Sequence, residues 1–251
     1  MTIERDAQPL LKTTPLSIAG IPAILWGEPS SRLILAVHGN HSSKEDDVIV
    51  RLARAAVARG EQVLSFDLPA HGERKGKEAV CHVRQAVPEL QAILHHAQER
   101  SAHVSLFACS MGAYFSLLAF SKAKFERCLF LSPVVDMARL IDNMMGWFGV
   151  SVERLQQEQS IPLPIGETLF WDYYRHVKDN PVLAWPSATA ILYGSADELC
   201  ERECIDDFCQ RFAAALTVLD QAPHYFNTPG QLAFFEQWLA RSLPSIKGPG
   251  Q

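Results

Sequence analysis

Apolar positions along the chain fall into short continuous runs, separated by longer stretches in which they recur every three or four residues. Short β-branched or aliphatic runs predict strands, and the three-to-four spacing predicts amphipathic helices. TPLSIAG and IPAILWG, divided at Gly20, predict an opening hairpin. RLILAVHG, from Arg32 to Gly39, is apolar until it meets a histidine and a glycine, which is the pattern of a strand covered on both faces. SSKEDDVIVRLARAAVARG follows, with an N-cap serine, early acids, apolar residues at helical spacing and Gly60 as the stop, and it predicts one helix. The alternation continues through QVLSFDLPAHGER, a strand running into a loop. VRQAVPELQAILHHAQER reads as a helix in spite of Pro88, a site for a break or a late start. HVSLFAC is a third buried strand, MGAYFSLLAFSKAK its helix and RCLFLSP a fourth strand.

From about Asp136 to Ser187 the alternation stops. This stretch holds Trp147, Trp171 and Trp185, further aromatics at Phe148, Phe170, Tyr173 and Tyr174, and the proline-broken SIPLPIG. So long an excursion between strands predicts an inserted lid or binding region, with RLIDNMMGWFGVS and FWDYYRHV as amphipathic pieces that pack one face downward. The rhythm resumes with ATAILYGSADEL, a helix around residues 202–214, LTVLD, the loop QAPHYFNTP and a last helix, GQLAFFEQWLARSL. The tail PSIKGPGQ is expected to be unstructured. Strands that alternate with helices indicate an α/β fold, a mostly parallel sheet with helices on both faces. The expected division is a core domain of residues 1–135 and 188–251, with 136–187 as the lid.

Length and composition support that picture. The chain has 251 residues, 48% of them hydrophobic, enough for a substantial core. The net charge of −5 is dispersed and no basic block occurs, so nucleic acid is not an expected partner. The opening MTIERDAQPLLKTTPLS contains acids and no long apolar run, and no apolar stretch reaches the roughly 18 residues of a membrane span. Neither a secretory signal nor a membrane span is expected, and the expected location is cytoplasmic. Six scattered cysteines read as thiols rather than a disulfide framework. The spacing of Cys200, Cys204 and Cys209 departs from paired-cysteine zinc patterns and matches helix periodicity, so no metal is expected there.

The candidate chemistry centres on Ser110 in SLFACSMGAYFSLL, where a predicted strand meets a predicted helix. On these residues alone two readings stand. Ser110 is an N-cap, with Gly112 allowing close helix–strand packing, or it is a nucleophile forced outward on a tight turn with free helix N–H groups behind it. A nucleophilic serine requires an imidazole to take its proton, a carboxylate to fix the imidazole, and amide donors for the oxyanion. Ala108 occupies the first glycine position of the G-x-S-x-G pattern. VHGN, FDLPAHGER, ACSMGA, LYGSADEL and APHYF follow one another in that order, each at the end of a predicted strand or ahead of a predicted helix. In these motifs and their order the chain resembles the α/β-hydrolase family over nearly its whole length. LPAHGERKGK resembles the corresponding loop of monoglyceride-lipase-like and serine-aminopeptidase-like members.

The resemblance implies an α/β-hydrolase fold with a helical lid, and a role for each matching residue. Ser110 is implied as nucleophile, Asp197 as the carboxylate that orients the histidine, and His224 as general base, with the backbone N–H groups of Asn40 and Met111 as oxyanion donors. Asp136, after the fourth strand, is the competing carboxylate. His38 and His71 read as braces of the strand-end loops, while His95, His96, His103 and His176 have no catalytic spacing. His41, with Trp147, Trp171 and Tyr174 of the lid, is expected to line an apolar acyl pocket. Cys109 reads as a buried thiol. The implied reaction is hydrolysis of a small or medium carboxylic ester through an acyl-enzyme, with no cofactor and no metal. A thioesterase, a peptidase or amidase using the same residues, and a non-catalytic binding module are the alternatives. The partner is a small acyl substrate, and a homodimer is among the oligomeric states left open.

Overall fold

In the computed structural model, which describes residues 11–77 and 81–243, β1 (Thr13–Ile18) and β2 (Ile21–Trp26) pair antiparallel as the predicted hairpin. Ala19 and Gly20 turn the chain with φ +50° and +85°, the pair of left-handed residues that a tight hairpin requires. Then come β3 (Arg32–Val37), α1 (Asp47–Val57), β4 (Gln62–Phe66), α2 (Val83–Arg100), β5 (His103–Cys109), α3 (Ser110–Ala119) and β6 (Cys128–Leu131). The stretch without alternation forms α4 (Met137–Trp147), α5 (Val152–Glu158), a small hairpin of β7 (Ser160–Pro162) and β8 (Thr168–Phe170), and α6 (Trp171–Asp179), all outside the main sheet. β9 (Thr189–Gly194), α7 (Arg202–Phe212), β10 (Ala215–Leu219) and α8 (Pro229–Ser242) complete the order. The expected unstructured tail, 244–251, lies outside the described residues.

The eight-stranded sheet has the order β1-β2-β4-β3-β5-β6-β9-β10, and from β4 to β10 every pairing is parallel. Its central strands bury both faces, as their continuous apolar runs predict. In β3, Leu33, Leu35 and Val37 join the core beneath α2 and α3, while Ile34 and Ala36 join the core beneath α1 and α8. Ala108 and Cys109 of β5 divide in the same way, and Phe107 meets Phe235 of α8 with ring centres 5.9 Å apart. The chain leaves β3 toward β4 on one side and crosses to β5, β6 and β9 on the other. Such a reversal of strand order opens a crevice at the carboxyl ends of β3 and β5.

The start of α1 differs from expectation, while α2 covers the predicted residues. α1 starts at Asp47 behind Asp46, which makes no side-chain cap, because the serines before it lie in a loop that carries Lys44 inward to Asp67. α2 runs unbroken through Pro88, whose position six residues into the helix deletes a single backbone donor. Cys200 lies before α7 rather than on it, and Cys204 and Cys209, five residues apart on that helix, stand about 140° apart around it rather than on one face. At the opposite end of the sheet from the crevice, the buried Glu61 carboxylate, 1% exposed, binds Arg127 and approaches Arg32 Nε at 3.7 Å. Arg32 also binds Glu126 at 3.0 Å, and His103 pairs with that same carboxylate.

Candidate active site

Four strand ends supply the groups that meet in the crevice. β5 ends at Cys109 in extended backbone (φ −115°), and the next residue, Ser110, opens α3 at φ +46°. A serine in the left-handed region is strained, and the surrounding packing must impose it. Gly112 allows this: a Cβ there would stand 2.2 Å from the His38 carbonyl oxygen, so α3 lies directly on the end of β3. A Cβ on Gly39 would reach within 3.1 Å of Ser110 Cβ. Ala108, fully buried opposite Val37 and Phe130, shows that the turn accepts one methyl group where the five-residue pattern has glycine.

β9 and β10 bring the acid and the imidazole. Asp197 Oδ1 accepts the Leu199 and Cys200 N–H groups at 2.9 Å each, leaving Oδ2 to accept His224 Nδ1–H at 2.8 Å. That carboxylate fixes the proton on Nδ1, so Nε2 is free to accept from Ser110 Oγ at 2.8 Å. The two loops cross closely, since a Cβ on Gly194 would fall 2.2 Å from the Ala222 carbonyl oxygen, and Ala196 N–H donates to that same oxygen at 2.9 Å. A hydroxyl, an imidazole and a carboxylate linked in series can pass the serine proton to the ring while the acid stabilises the resulting charge. The competing Asp136 instead caps α4 through the Arg139 N–H at 2.9 Å. Asp197, Cys200 and His224 have donor atoms within 4.8 Å of one another. Burial, with the Asp197 charge, holds the Cys200 thiol well above its usual range, so it stays protonated beside the pair.

The turn after β3 is tied down on several sides. His38 donates through Nδ1 to the Gly39 carbonyl at 2.7 Å and accepts the Leu68 N–H at Nε2 at 3.0 Å. Burial pushes its pKa down to about 4, which keeps the ring neutral. Asp67 accepts from Lys44 N, Lys44 Nζ and Glu73 N, and this fixes the neighbouring loop. Burial works to raise the Asp67 carboxyl, but the Lys44 ammonium and the two backbone donors hold it below its usual range. His71 meets the Pro69 carbonyl at 2.8 Å and Asn40 Oδ1 at 2.9 Å. Asn40 Nδ2 in turn donates to Glu167 Oε1 at 2.7 Å, and His41 Nε2 lies 2.7 Å from the same oxygen.

Above Ser110 lies a cavity of about 1000 Å³. Met137, Leu140, Ile141 and Met144 of α4, with Val134 and Phe170, give it apolar lining, and Asn40, His41, Asp46, Lys75 and Glu167 give it polar lining.

A model of the alpha/beta hydrolase family matches residues 34–246. The chain belongs to that family. Among solved structures, this hydrolase is similar to Est1E from Butyrivibrio proteoclasticus with ferulic acid bound (18% identity, 93% of this chain and 99% of that one, TM-score 0.77). It is also similar to the Pyrococcus furiosus esterase Pf2001 (20% identity, 92% and 88%, TM-score 0.67). A third is the mouse alpha/beta hydrolase domain-containing protein 10 (14% identity, 92% and 98%, TM-score 0.74). No curated protein matches it.

Of the residues singled out in the hydrolase's sequence, Ser110, Asp197 and His224 come together, and Asn40, His41 and Met111 border the same cavity. Trp147, Trp171 and Tyr174 do not reach its lining. Trp147 is 50% exposed at the end of α4, while Trp171 and Tyr174 pack on each other 6.0 Å apart and the Tyr174 hydroxyl donates to Asp142 at 3.0 Å. The cavity takes Tyr173 from α6 instead, one position away on a helix and so about 100° around it. The α4 wall was legible as an apolar stripe at helical spacing in MARLIDNMMGW. Glu167 had no such signal.

Proposed function

We propose that this hydrolase cleaves a carboxylic ester through an acyl-enzyme on Ser110. The observation that carries the reading is the unbroken series from Ser110 Oγ through His224 to Asp197, with 2.8 Å at both contacts. In the first half-reaction Oγ attacks the ester carbonyl carbon as its proton moves to His224 Nε2. The carbonyl oxygen becomes an oxyanion and accepts hydrogen bonds from the backbone N–H groups of Asn40 and Met111. Collapse of that intermediate breaks the bond to the alkoxy leaving group, which takes the proton from Nε2 and departs as an alcohol. A water then repeats the sequence on the acyl-enzyme: Nε2 removes its proton, the acid is released, and Ser110 regains its hydrogen. Asp197 remains ionised throughout and fixes the ring.

The inserted segment, residues 136–187, acts as the lid. Its apolar α4 lining suits the acyl group, and the polar lining from His41, Lys75 and Glu167 suits the leaving alcohol. A cavity of about 1000 Å³ has room for an acyl group of medium size.

The test is labelling with a fluorophosphonate, which phosphonylates an activated serine. Wild-type protein is expected to label, Ser110→Ala not at all, and His224→Ala more slowly by a factor of at least ~10³. Labelling that persists in Ser110→Ala removes Ser110 from the mechanism, and wild-type protein that never labels points to a binding module. Nitrophenyl esters of rising chain length then gauge the acyl pocket. Thioesters or amides turned over far faster than every ester would overturn the choice of bond.

A further inference from the structure

Glu167 sits in the loop of the β7–β8 hairpin, which belongs to the inserted segment and shares no strand with the main sheet. The loop is shaped by Leu163 N–H donating to the Glu167 carbonyl at 2.7 Å and Gly166 N–H donating to the Leu163 carbonyl at 3.0 Å. From there a single carboxylate oxygen receives the Asn40 amide at 2.7 Å and lies 2.7 Å from His41 Nε2. Both partners are in the turn that follows β3, 126 and 127 residues earlier.

We propose that Glu167 is a positioning residue for that turn, holding Asn40 so that its backbone N–H faces the ester oxygen and completing the oxyanion site only when the hairpin is docked. This inference rests on the ester-hydrolase reading above.

The local geometry explains why a tether from outside is needed. The turn packs by Gly39 against Ser110, and His41 follows at φ +56°, a left-handed conformation that costs a non-glycine residue about 1–3 kcal/mol. A strained turn keeps its shape only where its surroundings fix it. On the core side His38 does this through Gly39 and Leu68. On the cavity side the Asn40 side chain is clamped between His71 and Glu167. The carboxylate also sets the sense of that clamp. An ionised acid accepts only, so the Asn40 NH₂ must face it and Oδ1 faces His71, whose neutral ring donates there with its proton on Nε2. Without Glu167 the amide can rotate, and the backbone it carries can drift. An oxyanion donor works by being in place beforehand, so a small drift lowers the rate of the chemical step more than it weakens substrate binding.

A purely structural role would look different. The Glu167 side chain is 30% exposed and that of His41 64% exposed, and ion pairs this open contribute little to folding. Loss of Glu167 is therefore expected to leave the thermal midpoint nearly unchanged while it lowers kcat.

The experiment measures kcat and KM on nitrophenyl butyrate for wild type, Glu167→Ala, Glu167→Gln, Asn40→Ala and the double alanine variant, with thermal midpoints alongside. Glu167→Ala is expected to lose tenfold or more in kcat with KM within about twofold, short of the ~10²–10³ lost when an oxyanion donor is deleted. Glu167→Gln, which keeps an oxygen to accept from Asn40, is expected to recover most of that rate. In the Asn40→Ala background the Glu167→Ala change is expected to cost clearly less than in wild type, because the contact to Asn40 is already gone and only that to His41 remains. Wild-type kcat in Glu167→Ala, a loss confined to KM, or an undiminished loss in the Asn40→Ala background each overturns the positioning role. If Ser110→Ala abolishes labelling while Glu167→Ala turns over normally, the positioning inference fails alone. If Ser110→Ala still labels, the hydrolase reading fails with it.

Discussion

Below the turn that carries Asn40, both nitrogens of the His38 ring are used by its neutral form, and a proton added there would displace the Leu68 N–H. The unfolded chain binds that proton near pH 6.5, and the native chain only near pH 4. The unfolded state therefore gains protons first on acidification. The contribution of His38 is fully present above pH 6.5 and is lost as the pH falls toward 4, roughly 3 kcal/mol in all. Denaturant unfolding at pH 6.5 and 4 should show this loss in wild type, and a smaller one in His38→Gln. For Asp197, replacement by Asn keeps an oxygen for the Leu199 and Cys200 N–H groups but presents NH₂ to the ring. That favours the tautomer with its proton on Nε2, where Ser110 must donate. A loss of ~10³–10⁴ in kcat with a nearly unchanged thermal midpoint is expected from steady-state kinetics and a melt of Asp197→Asn. Ser110 was readable as the residue at which an apolar run breaks into a helix, whereas Asp197 and His224 were readable only through the ordered motifs that resemble the α/β-hydrolase family. The pocket residues were less so. Composition marked residues 136–187 as aromatic, but which aromatic faces the cavity depends on the rotation of each helix, and so Tyr173 lines it while Trp171 and Tyr174 pack on each other.

The placement of whole elements depends on a few points where backbones touch. α3 rests on β3 at Gly112, and a methyl group there meets the His38 carbonyl at 2.2 Å, a distance that only movement of the helix can relieve. Gly112→Ala should cost about 1–3 kcal/mol in denaturant unfolding and shift Ser110 away from His224, with kcat falling further than stability alone explains. The buried strands were legible because a two-faced strand needs an uninterrupted apolar run, and β3, β5 and β6 each have one. The start of α1 was not, because the two serines that could cap it serve a loop whose course is set by Lys44 reaching Asp67, a tertiary contact 23 residues apart. The helix through Pro88 was legible, since the buried face made by Ala86, Leu90, Ile93 and Leu94 carries α2 past the single missing donor.

Across the whole molecule, the cavity joins the α4 wall of the inserted segment to strand-end loops of the main sheet, so its depth can be altered without touching the Ser110 series. Met144→Trp should fill part of the apolar lining. With nitrophenyl esters, kcat/KM for the octanoate is expected to fall tenfold or more while the acetate stays within about threefold, a shift in preference read from one panel of substrates. The crevice and its loops occupy the carboxyl ends of the strands, and the Glu61, Arg127, Arg32 and Glu126 cluster occupies the amino ends. On the proposed reading, changes around Ser110 alter what the protein transforms and how fast, while the ion pairs around Glu61 stand at the far ends of the same strands, away from that chemistry.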